Sequence, residues 1–159
     1  MTTQNPAVRD YLQHLDALYA DMRRWLEDKG LRIDSESVEI HEERIAKYAA
    51  DQLLIIDPDG ETTIARVRPV GQNILGASGR VDLVGNQGKE SLLYLNNGET
   101  SVKTASGPTS APTPKTKRIV PGVKGDGWYW LEGRTNRRAH SVDETLFLEF
   151  LSDVSGHVF

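Results

Sequence analysis

Apolar residues near the start of the chain recur at helical spacing: Val8, Tyr11, Leu12, Leu15, Leu18, Tyr19, Met22, Trp25 and Leu26. One stripe of this kind predicts an α-helix over residues 6–29. Asn5 suits its N-cap, Pro6 its first turn, and Gly30 the position just past its end. The opposite face, with Arg9, Asp10, Asp16, Arg23, Arg24 and Glu27, is charged and should be solvated. The stripe is broad and holds two tyrosines and a tryptophan, so it has to pack on something: its own sheet, or a partner.

From Ser35 the period falls to two. Val38 and Ile40 alternate with Glu39 and His41, which predicts a half-buried strand. "DQLLIIDPDGETTIARVRP" reads as a hairpin turning at Asp57-Pro58-Asp59-Gly60, since Pro presets φ and Gly tolerates positive φ. "GRVDLVGNQGKESLLYLNNG" reads as a second hairpin, with its turn at Asn86-Gln87-Gly88. Residues 43–51 fit either a continued strand or a short helical turn. "WYWLE" is strand-like by its aromatic residues, and Ser141 with Glu144 three positions on has the form of a capping box. The helix it opens should run to about Asp153 and bury Val142, Leu146, Phe147, Phe150 and Leu151.

Between these elements lies "TSVKTASGPTSAPTPKTKRIVPG", which holds four of the seven prolines and almost nothing large and apolar before Ile119. A Pro/Ser/Thr-rich loop is expected at 104–127. Short turns between successive strands imply antiparallel pairing, and no crossover helix intervenes. The expected fold is therefore one α+β domain over 1–159. It has an N-terminal helix, an antiparallel meander of five or six strands and a C-terminal helix, with both helices on one face of the sheet.

Composition adds constraints. At 159 residues the chain is long enough to bury a core unaided, and it has no Cys, hence no disulfide framework and no thiolate chemistry. No stretch is apolar enough to span a membrane, no secretory leader is evident, and a cytoplasmic protein is the expectation. The net charge of −4 is unevenly placed. Residues 1–57 carry 7 basic and 12 acidic side chains, 113–140 carry 7 basic and 2 acidic, and 141–159 carry 4 acidic and no basic ones. A basic segment is thus flanked by acidic ones.

Several stretches invite chemistry. Asp82 and Glu90 on neighbouring strands resemble the carboxylate pair of a metal-dependent nuclease. The pattern also wants a Lys two positions after the Glu, and Leu92 stands there. "DPDGE" lacks the later ligands of a calcium loop, and "GVKGDG" lacks phosphate-loop spacing, so both read as turns. His14, His41, His140 and His157 are scattered, without metal spacing. No cofactor and no metal is expected, and no catalytic residue can be named.

The segment with the strongest claim is 115–140. Lys115, Lys117, Arg118 and Lys124 precede Trp128, Tyr129 and Trp130, and Arg134, Arg137, Arg138 and His140 follow. Basic and aromatic residues together suit single-stranded nucleic acid, and Trp, Tyr and Arg equally dominate protein hot spots. Trp128 and Trp130 share one strand face and suit a core, with Tyr129 outward. The candidate binding residues are Trp128, Tyr129, Trp130, Arg134, Arg137, Arg138 and His140. The leading expectation is a non-enzymatic protein-interaction module, of the adaptor, chaperone or immunity-protein kind, binding a protein partner or a second copy of itself, with no membrane. The alternatives are a nucleic-acid-associated protein using 115–140 and a degenerate metal-dependent nuclease-like domain.

Overall fold

The computed structural model of the chain describes residues 5–72, 77–96, 99–101, 117–133 and 138–159, with the backbone alone at 99–101 and 117–119. Helix α1 spans Pro6–Glu27, and the Asn5 side chain accepts a hydrogen bond from the Ala7 amide at its start. Nine strands follow. They are β1 (Arg32–Ile40), β2 (Tyr48–Ile56), β3 (Thr63–Gly71), β4 (Gly79–Gly85), β5 (Gly88–Leu95), β6 (Glu99–Ser101), β7 (Lys117–Ile119), β8 (Gly127–Glu132) and β9 (Arg138–Ser141). Helix α2 (Glu144–Ser155) completes the order.

Seven strands form one antiparallel sheet in the order β1-β2-β3-β4-β5-β8-β9, two more than the lower sequence expectation. The remaining two, β6 and β7, fall between β5 and β8 in sequence and pair with each other as a separate two-stranded ribbon. This is the expected α+β meander. Of the expected 104–127 loop, 104–116 lie outside the described residues, 117–119 form β7, and 120–126 run in turns. Residues 43–51 resolve into a turn followed by β2.

Alternation along the strands decides which residues meet the helices. Leu53 and Ile55 of β2, Ala65 and Val67 of β3, Val81 and Leu83 of β4 and Leu92 of β5 all point to the covered face. There they join Tyr11, Leu15, Met22 and Leu26 of α1 and Phe147, Phe150 and Leu151 of α2 in one core. Each Val, Leu, Ile, Met or Phe among them contributes roughly 1.5–3 kcal/mol on burial. Both helices therefore lie on the same side of the sheet.

Tyrosine hydroxyls fasten α1 to strand backbone, Tyr11 donating to the Arg80 carbonyl at 2.7 Å and Tyr19 to the Asp51 carbonyl at 2.6 Å. Burial pushes both phenols well above their ordinary pKa. Two glycines permit the close approach. A Cβ on Gly79 would stand 2.6 Å from the Tyr11 ring, and one on Gly85 would stand 2.1 Å from the Val154 carbonyl of α2. The start of α2 departs from expectation. Ser141 still belongs to β9, and Asp143 is the N-cap, accepting from the Leu146 amide at 2.8 Å. An Asp at that position satisfies an otherwise orphaned amide and sits favourably at the positive end of the helix.

Candidate binding surface

With the helices on one face, the other face of the sheet carries the alternate residues, and the register places them in rows. One row runs Asp34, Leu54, Arg66, Val84, Lys89 from β1 to β5. In the next, Glu36 stands opposite Gln52 on β1 and β2, and Arg68, Asp82 and Ser91 cross β3 to β5. A third runs Arg80, Leu93, Tyr129, Ser141 from β4 to β9.

These rows contain two environments. Toward β8 and β9, Tyr129, Leu95 and Ala139 are buried in a small second cluster, against which Leu93, Leu131, Val120 and Val123 pack. Tyr129 was expected to point outward. It does lie opposite the tryptophans, but the 120–126 segment folds over it. Its hydroxyl donates to the Gly125 carbonyl at 2.8 Å and accepts from the Lys124 amide at 3.1 Å. The same segment closes the β9 edge, where the Ala139 amide donates to the Pro121 carbonyl at 2.7 Å.

Over β3, β4 and the start of β5 the face is open among the described residues. Arg66, Arg68 and Lys89 are exposed and make no ion pair or side-chain hydrogen bond there. Asp82, only 8% exposed, is gripped by Arg80 through two contacts at 2.9 and 3.2 Å and by the Ser91 hydroxyl at 2.8 Å. The half-buried aliphatics Leu54 and Val84 lie among them. On β1 the sign changes: Asp34 and Glu36 are exposed, and the Gln52 amide donates to Glu36 at 3.3 Å. The result is a basic band bordered by an edge strand of mixed charge, where Arg32 pairs with Asp34 at 3.4 Å and Glu36 stands beyond them.

The carboxylates Asp82 and Glu90 are not brought together. Asp82 pairs with Ser91 and Leu83 with Glu90, so the two acids sit on opposite faces. Glu90 faces the helices and accepts a hydrogen bond from the Trp130 indole at 3.0 Å. Among the described residues no group of three or more His, Asp or Glu is placed to hold a metal.

The other sequence-named residues disperse. Trp128 and Trp130 are half-buried on the helix-covered face. The Trp128 indole donates to the His14 carbonyl at 3.0 Å, and Trp130 meets Phe150 edge-on at 5.0 Å. The His14 ring lies flat on Tyr94 at 3.7 Å. Burial lowers its pKa, with Asp10 and Asp126 pulling the other way. His140 pairs with Glu132 at 2.7 Å. Arg138 and His140 line an open cleft of about 530 Å³ along the β9 edge, with Lys124, Asp143 and Glu149. Arg134 and Arg137 lie outside the described residues.

Arg66, Arg68 and their neighbours were not singled out from sequence. The available signal was the "ARVR" alternation, whose arginines flank a core valine and so must face away from the core. Comparison of the chain with family models, curated proteins and solved structures finds no match. No helix among the described residues is long and apolar enough to cross a membrane.

Proposed function

We propose that this protein is a non-catalytic binding module that receives a protein partner on the open face of its sheet. The observation that supports it is the division of the sheet. One face is filled by both helices, while β3 to β5 present a face that, among the described residues, is uncovered and carries the unpaired bases Arg66, Arg68 and Lys89 with half-buried aliphatics. Polar surface enclosing modest apolar area is the composition of non-obligate protein interfaces. Large apolar side chains are otherwise used inside the fold: among the described residues only Val158 is a large exposed one. Helix α1 is accordingly committed to the core, which leaves homodimerisation through its apolar stripe without support. A cytoplasmic setting is part of this reading, supported by the Cys-free composition.

The nucleic-acid reading has one observation in its favour, the basic band itself. Single-stranded nucleic acid also rewards exposed aromatic rings. Here Trp128 and Trp130 are turned toward the helices and Tyr129 is buried, so the band offers charge without stacking.

The test is affinity capture with the tagged full chain before and after nuclease treatment, followed by reconstitution from purified components. A saturable complex between the chain and a purified protein, insensitive to nuclease, is the expected result. Capture that disappears with nuclease, and no complex from the purified components, would overturn the reading.

A further inference from the structure

We infer that the docking segment accepted by this face is an extended, acidic stretch of polypeptide that carries a carboxylate at every second position and lies along β3. This rests on the protein-partner reading above and adds the chemistry of the partner.

The spacing of charge on the strand carries the inference. Arg66 and Arg68 are two residues apart on β3, both exposed and unpaired among the described residues. Same-face residues on a strand stand about 7 Å apart. An extended peptide running alongside presents every second side chain at the same interval, so two of its carboxylates can each meet one guanidinium. Guanidinium and carboxylate match as a planar two-bond pair, which rewards that alignment over a diffuse cloud of negative charge.

Lys89 lies two strands from Arg66 in the same row, with Val84 between them, and Leu54 flanks Arg66 on the other side. In an extended segment the residues between the carboxylates point away from the sheet, so Val84 and Leu54 meet the methylene stems of its acidic side chains. The fourth base, Arg80, is engaged by Asp82 and fixes the floor of the band. On β1, Asp34 is ion-paired with Arg32 at 3.4 Å, and Glu36 is the exposed carboxylate that disfavours an acidic segment on that side.

The experiment is a titration of the isotope-labelled full chain, followed by backbone amide shifts in NMR spectra. One probe is a ten-residue peptide with the core Asp-Val-Glu-Leu-Asp between Gly and Ser. The others are the same peptide with Lys for each acid and a ten-nucleotide oligo-dT. The acidic peptide should shift amides of β3, β4 and β5 saturably, and Arg66→Glu with Arg68→Glu should weaken it at least about tenfold. The lysine peptide should give no saturable shift there. Lys89→Glu, at an exposed site, is the second variant should the double reversal fail to fold, and about threefold weakening is expected from it. Shifts confined to other elements, no shifts, or equal affinity for oligo-dT would overturn the inference. If the acidic peptide fails while a purified protein partner still binds the chain, the module reading stands and only the acidic chemistry falls.

Discussion

Asp82 makes three hydrogen bonds in a nearly closed site, and those bonds account for it without a metal. Removing a buried acceptor strands its donors and costs the desolvation of each. Asp82→Ala should therefore lower unfolding free energy by about 1–3 kcal/mol in urea titration. It should also release Arg80 into the basic band and tighten the acidic peptide. Weaker peptide binding in a variant that still folds would contradict the role assigned to that carboxylate. His14 gives a pH dependence. Its pKa is lowered by burial in the folded chain, so the unfolded chain binds the proton more tightly. The stabilisation is complete above the unfolded value of about 6.5 and declines as pH falls through it toward the folded value. His14→Gln should thus show a flatter fall of melting temperature between pH 7 and pH 5 than the parent chain. Identical slopes would show that the stacked ring titrates as if free.

At the scale of elements, periodicity made both helices and the two hairpins readable, because core contact imposes one repeat on a helix and another on a strand. Details that depend on a single residue were less legible. The β4–β5 turn was read as Asn86-Gln87-Gly88, but Gly85 pairs with Gly88 and the loop is Asn86-Gln87. With three loop residues, Asp82 and Glu90 would share a face; with two they cannot, because shifting a strand by one residue inverts its faces. The nuclease-like appearance of that hairpin depended on that one position. The cap of α2 is a similar case. Ser141 matched the capping-box spacing, but β9 extends through it to pair with Tyr129, and Asp143 takes the cap. Asp143→Ala should cost about 1 kcal/mol of stability, and Ser141→Ala less than half of that, as read by thermal unfolding. The reverse order would return the cap to Ser141.

For the whole molecule, the acidic and basic segments of the sequence say less than the faces of the sheet. The strongly basic stretch 113–140 contributes two half-buried tryptophans and a buried tyrosine to the interior, while the exposed band takes its charge from Arg66, Arg68 and Lys89, in a stretch that is neutral overall. Segment totals hide this because strand alternation sends neighbouring residues to opposite faces, and only register tells which charges meet. The account's central claim is that binding belongs to the open face and not to the helical side. Its most direct test is the affinity of a reconstituted protein partner for three forms of the chain: the parent, Arg66→Glu with Arg68→Glu, and Arg23→Glu with Arg24→Glu on the exposed side of α1. The two variants change charge equally on opposite sides of the fold. The account predicts a loss of at least about tenfold for the sheet variant and under about threefold for the helix variant. Equal losses in both, or a loss confined to the helix variant, would contradict it.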